Sequence, residues 1–192
     1  MNHALRLFAL AACLIAAPAP AATDVAGVKM EDTAQIAGQS ATLNGAGLRT
    51  RLTLKVYAMG LYLAKRETSA DAAIAGAGAK RVRIVMLRDL SAEDLANALV
   101  KGFTANQDGA AMGKLQARLD EFKSTLLSMG EAKKGSDFSI DFVPGSGTRL
   151  MVGGAQKGKD IAGEDFYAGL LRIWLGAKPV DDDLKAALLK GG

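Results

Sequence analysis

The sequence predicts an α+β domain built on one antiparallel sheet. Two observations lead there. Alternating, strand-like segments come first, helical segments follow, and the order of strands then helices is repeated once more. The breaks between strand segments are short and carry glycine, asparagine or proline, which favours antiparallel pairing with the helices layered on one sheet face.

Taken in order, Val25 to Ser40 alternates weakly and reads as one or two short strands. Asn44-Gly45-Ala46-Gly47 reads as a turn, because asparagine and glycine reach positive φ cheaply. Leu48 to Ala64 is the clearest β segment. Leu52, Leu54 and Val56 would share one face, and Arg49, Arg51, Thr53, Lys55 and Tyr57 the other. Thr68 to Gly78 is alanine-rich and weakly helical. Lys80 to Leu87 returns to strand, with Val82, Ile84 and Met86 alternating against Arg81, Arg83 and Val85.

Ser91 is placed to cap a helix whose apolar face is Leu95, Leu99 and Phe103, with acids in its first turn. A second helix spans about Ala110 to Met129, with Met112, Leu115, Leu119, Phe122 and Leu126 at three- and four-residue spacing. Phe138, Ile140 and Phe142 alternate in the next strand, which Pro144-Gly145 ends. Leu150 and Val152 mark another, turning by glycines into a partner over Gln156 to Ile161. A helix from Glu164 buries Phe166, Leu170, Leu171 and Trp174. Gly176 and Pro179 break it before a short terminal helix over Asp181 to Leu189.

The first residues read as an address. A basic start, Met1 to Arg6, leads into an apolar run from Leu7 to Ala17, and Ala19-Pro20-Ala21 offers a small-x-small cleavage site. The expected organisation is a signal peptide over residues 1–21, cleaved after Ala21, and one domain over 22–192 that is soluble in the periplasm or secreted. Eleven or so apolar residues fall short of the roughly 20 that span a bilayer. Leu10-Ala11-Ala12-Cys13 matches the box before a lipidated cysteine. However, the apolar stretch before it is short and the sequence beyond stays apolar, so a membrane anchor is expected only if Cys13 is modified.

Removing that segment removes chemistry. The chain has one cysteine, Cys13, and one histidine, His3. The exported domain would hold neither, which excludes disulfides, thiol nucleophiles, histidine bases and ordinary zinc sites. No cofactor or metal is expected. Net charge falls from +4 to about +3 with the loss of Arg6, and its cations are spread rather than clustered with aromatics, which argues against nucleic acid. The run Asp181-Asp182-Asp183 after Pro179 reads as helix capping.

The segment Leu48 to Leu63 carries the most functional information. Its odd-numbered positions are cationic and polar up to Tyr57, then apolar at Met59, Leu61 and Leu63. A face of that kind suits an amphipathic carboxylate. Arg49 and the Tyr57 hydroxyl would take the head group, Lys55 would lie beside them, and Met59 and Leu61 would follow the tail. The structural alternative is a solvent-facing polar half-strand with a bulge near Gly60 that resets the parity.

Leu43-Asn44-Gly45-Ala46-Gly47-Leu48-Arg49, followed by Leu54 to Leu63, resembles the signature region of the chalcone isomerase-like proteins. Trp174-Leu175-Gly176-Ala177-Lys178-Pro179-Val180 and the helix after it resemble the end of the bacterial members. The resemblance covers the whole exported chain. It implies an open-faced β-sandwich, a large antiparallel sheet covered by helices around a ligand cleft. In the plant isomerases the arginine matching Arg49 anchors the substrate oxyanion and the lysine matching Lys55 supports it. Their strand threonine falls at Tyr57, their tyrosine–asparagine pair has no counterpart between Leu90 and Lys101, and a further polar residue falls at Ile173. The plastid fatty-acid-binding members pair the arginine with a tyrosine, as Arg49 and Tyr57 would here. Three functions follow: a non-catalytic fatty-acid binder, an isomerase or intramolecular lyase using Arg49 and Lys55 to stabilise an oxyanion, and an exported interaction module.

Overall fold

The computed structural model describes residues 22–191; the expected signal segment and Cys13 lie outside the described residues. Among the described residues, nine strands and five helices follow in chain order. The hairpin β1 (Ala22–Val25) and β2 (Val28–Glu31) stands apart from the main sheet. That sheet is an antiparallel meander of β3 (Thr33–Ile36), β4 (Gln39–Arg51), β5 (Leu54–Leu63), β6 (Lys80–Met86), β7 (Asp137–Val143), β8 (Gly147–Val152) and β9 (Ala155–Ile161), each strand paired to the next. Helix α1 (Ala70–Ala75) lies between β5 and β6. Helices α2 (Ala92–Ala105) and α3 (Gly109–Leu127) join β6 to β7, and α4 (Glu164–Leu175) and α5 (Asp182–Leu188) end the chain.

Helix starts follow the capping logic of the sequence. The side chains of Ser69, Ser91, Asp108 and Asp181 each accept a hydrogen bond from a first-turn backbone N–H. One sheet face carries Met59, Leu61, Val82, Ile84, Phe138, Ile140 and Leu150 into a single buried cluster with Phe103, Phe122, Phe166 and Trp174 of the helices. The opposite face is covered in part by the β1–β2 hairpin, whose buried Met30 joins Leu43, Ala58 and Tyr62. The rest of that face stays open. This is the open-faced, helix-backed sheet that the sequence predicts.

Three expectations fail in the region that matters most. Residues 44–47 are not a turn; they lie inside the 13-residue strand β4. The segment Leu48 to Ala64 is not one strand. It is the end of β4, a two-residue turn at Leu52 and Thr53, and β5. Val25 to Ser40 holds β2 and β3 and the beginning of β4, more than the one or two strands expected. The physical reason is that the two glycines serve an approach rather than a turn. A Cβ at Gly45 would stand 2.3 Å from the Ala187 carbonyl oxygen, and one at Gly47 would stand 2.7 Å from the Ala187 Cβ. Helix α5 therefore rests directly on the β4 backbone.

Parity is reset by bulges at other places than Gly60. The register slips between Leu43 and Gly45, leaving Asn44 as the extra residue of β4, and again between Arg49 and Thr50, where Val56 is the extra residue of β5. The first slip turns Gly45, Gly47 and Arg49 toward the helices, while Leu43, Ala46 and Leu48 pack with the hairpin side. Asn44, fully buried, is the fixed point. Its Nδ2 donates to the carbonyls of Leu188 (2.7 Å) and Glu67 (2.9 Å), and its Oδ1 accepts from the Glu67 N–H.

Candidate functional site

Arg49 and Tyr57 share a face, though not along one strand. They are direct cross-strand partners on β4 and β5, and such pairs hold their side chains side by side. Two residues from the end of the chain complete the cluster. The Trp174 indole N–H of α4 donates to the Tyr57 hydroxyl at 2.9 Å. The Arg49 Nη1 donates to Asp181 Oδ2 at 3.2 Å and to the carbonyl of Thr50.

Asp181 is doubly employed. Its Oδ1 caps α5 through the Leu184 N–H (3.0 Å), and its Oδ2 also accepts from the Thr50 N–H (3.1 Å). Burial raises the pKa of this carboxyl, but the Leu184 and Thr50 N–H groups and the Arg49 guanidinium outweigh burial and hold it below the usual aspartate value. Tyr57 moves the other way. Burial pushes its hydroxyl up to about 12 against the opposing pull of Trp174 and Arg49, so it stays protonated and able to donate.

The valences left over define what the cluster can do. Arg49 spends only Nη1; its Nε and Nη2 have no hydrogen-bond partner among the described residues. Tyr57 accepts from Trp174 and donates to no described residue. Accepting that bond polarises the hydroxyl and strengthens it as a donor. The Arg49 side chain is about one-fifth exposed, which puts it at the rim of the helix–sheet layer rather than deep within it. An oxyanion fits these donors.

The other expected site residues separate into two groups. Met59 and Leu61 continue from Tyr57 on the helix-facing side and are fully buried, packed in the main cluster. Lys55 is exposed near the hairpin end and makes no hydrogen bond or ion pair with a described residue, so it does not join Arg49 in a constellation. Trp174, expected only as core, and Asp181, expected only as a cap, belong to the cluster. No local signal in the sequence joins residues 117 and 132 positions apart to Tyr57 and Arg49.

Two surface grooves lie elsewhere. One, of about 590 Å³, runs under the β1–β2 hairpin by Tyr62, Arg81 and Arg83; the other, of about 580 Å³, lies at the α2–α3 corner by Lys114 and Arg172. Arg49 and Tyr57 line neither. Among the described residues no group of three His, Cys, Asp or Glu side chains is placed to hold a metal ion, and no helix is long and apolar enough to cross a membrane.

A seven-stranded antiparallel sheet backed by helices on one face, with an arginine–tyrosine pair on its helix side, defines the class. The family model described as chalcone isomerase-like matches residues 22–190, nearly the whole described chain. The chain belongs to the chalcone isomerase-like family. A fatty-acid binding protein of Arabidopsis thaliana has a similar crystal structure, with a TM-score of 0.64 at 18% identity, covering 85% of this chain and 92% of that one. No curated protein matches the sequence.

Proposed function

We propose that this protein is an exported, non-catalytic binder of a fatty acid or similar amphipathic carboxylate. The observation that carries the reading is the unspent pair of donors, Arg49 Nε and Nη2, beside a Tyr57 hydroxyl that is protonated and polarised by Trp174. A carboxylate accepts from such a guanidinium edge in a bidentate pair, and the hydroxyl supplies a third bond. The fold shared with a protein named for fatty-acid binding supports the choice of ligand class. Met59 and Leu61 have no exposure, so an acyl tail reaches them only when the helical layer parts from the sheet. Export rests on the layout of Met1 to Ala21, and N-terminal sequencing of the extracytoplasmic fraction should start at Ala22.

Native mass spectrometry of the purified protein with a long-chain fatty acid tests the binding. One bound molecule is expected, with a loss of affinity of at least about tenfold in Arg49→Ala, corresponding to one charge-assisted contact. No adduct, or equal binding by the variant, would refute the reading.

The closed interior favours one second reading, an interaction module in which the cleft is vestigial. A melting temperature that a fatty acid does not move would support it. The isomerase reading draws less support from the geometry, because Lys55 stands apart from Arg49 and the Asp181 carboxylate already offsets part of the Arg49 charge. Chalcone cyclisation no faster than the spontaneous reaction would remove it.

A further inference from the structure

The β4–β5 hairpin tip breaks a local rule without any return inside the chain. Leu52 opens its two-residue turn with φ of +56°, in the left-handed region where glycine is the usual first turn residue. The two other non-glycine residues at positive φ among the described ones, Ala26 and Ala37, are each followed by glycine and carry only a methyl group, whereas Leu52 carries a large apolar side chain in that conformation. Here the side chain gains nothing from the protein, because Leu52 is 93% exposed. Leu54, at the start of β5, is 52% exposed. Only one other large hydrophobic residue among the described ones is comparably exposed, Leu127 at the end of α3. The two leucines therefore form a concentrated apolar point rather than ordinary surface scatter.

The residues that flank the two leucines in the hairpin are both cationic. Arg51 precedes Leu52 and Lys55 follows Leu54; both are exposed, and neither makes an ion pair or hydrogen bond with a described side chain. Asp181, the carboxylate bonded at the base of the tip through Thr50, is engaged by Arg49. From this arrangement we infer that the tip docks on anionic lipid bilayers, with Leu52 and Leu54 entering the headgroup–acyl boundary while Arg51 and Lys55 meet lipid phosphates. Apolar side chains flanked by cations match that boundary better than a protein groove, which would leave the two cations to be paired individually. The exposed Asp182 and Asp183 in the first turn of α5 are the carboxylates that follow Asp181 in the chain, and the hairpin tip itself carries none. The inference stands whether or not Arg49 and Tyr57 hold a head group.

Co-sedimentation with vesicles tests it, using the chain from Ala22 onward, the folded unit described above, so that the apolar N-terminal run cannot supply the binding. The protein should bind vesicles of equal parts phosphatidylcholine and phosphatidylglycerol, bind pure phosphatidylcholine far less, and lose binding as salt rises. Leu52→Gly should weaken vesicle binding about tenfold or more while raising the melting temperature, since it removes the membrane contact and the strain together. Leu54→Ser should weaken binding without that rise, and Arg51→Glu with Lys55→Glu should abolish the preference for anionic lipid. Absence of binding to anionic vesicles, or full binding by Leu52→Gly, overturns the inference. A concentration-dependent dimer that Leu52→Gly abolishes, with no vesicle binding, overturns it in favour of a second copy of this chain.

Discussion

The two faces of the sheet use arginine in opposite ways. On the open face, Arg81 clasps Asp141 through Nε and Nη2 at 2.7 and 2.6 Å, and Arg149 clasps Asp160 at 2.9 and 2.6 Å. Arg83 holds Asp137 with the same two nitrogens and gives its Nη1 to the Lys29 carbonyl. These guanidinium edges are spent on carboxylates of neighbouring strands, a cross-strand ladder that fixes register. On the helix face, Arg49 touches its carboxylate through one nitrogen at 3.2 Å and keeps the rest. The difference teaches how to read a charged residue: what marks Arg49 is its unsatisfied valence, since its residue type and strand position are shared by the others.

Substitutions should separate a ladder that holds the sheet from a pair that awaits a ligand. The largest effect is expected on the open face. Asp141→Ala deletes a buried carboxylate and both hydrogen bonds that Arg81 gives it, and should cost about 3–4 kcal/mol in denaturant unfolding, with fatty-acid affinity unchanged. Gly45→Ala comes next, at about 2–3 kcal/mol, because the added Cβ meets the carbonyl backbone of α5 and not a side chain that can turn away. Hydrogen exchange should then show α5 opening ahead of the sheet. Tyr57→Phe strips the Trp174 N–H of its partner and should cost about 1 kcal/mol in stability while also weakening the ligand. Arg49→Ala should cost at most about 1 kcal/mol in stability, since its ion pair is partly exposed and the Asp181 carboxylate keeps the Leu184 and Thr50 N–H groups. If Arg49→Ala proved as destabilising as Asp141→Ala, the contrast between the faces would collapse.

Acid should act least and gradually. The Arg149 contact holds Asp160 below the ordinary aspartate value of 3.8, the Arg118 contact does the same for Asp165, and Asp181 is lowered by its cap and Arg49 contacts. Each carboxylate thus binds its proton less readily folded than unfolded. Its contribution is fully present above pH 3.8 and is lost as pH falls through the lower folded value. A melting temperature flat from neutral pH to about 5 and falling below 4 is the expected profile. A fall that began near pH 6 would point to other groups.

Much of the fold was legible in the sequence because it is written in local periodicity and caps. Val82, Ile84 and Met86 face the core as their alternation requires, and Ser91 and Asp181 begin helices by side-chain contacts three residues long. The stretch from Leu43 to Leu54 misled for a physical reason. Asn44, Gly45 and Gly47 have turn chemistry but answer to a helix about 140 residues away, whereas the real turn, Leu52-Thr53, carries no turn chemistry at all. Arg49 and Tyr57 were found as members of one alternating face, and they do share a face, by strand pairing across two bulges. Trp174 and Asp181 were invisible as site residues, because nothing within ten positions of either refers to β4 or β5.

The dependence on the chain's end has a consequence for biosynthesis. Trp174 reaches back 117 residues to Tyr57, Asp181 reaches back 132 to Arg49, and Leu188 reaches back 144 to Asn44. A nascent chain extends from its N-terminus, so β4 and β5 are made early and wait, with the trench over Gly45 and Gly47 uncovered, until the final segment emerges. Closing loops of that length also places these contacts late in folding. The arginine–tyrosine cluster is therefore a mark of completion: a polypeptide released before Trp174 lacks two of its four members, Trp174 and Asp181, and cannot carry the site.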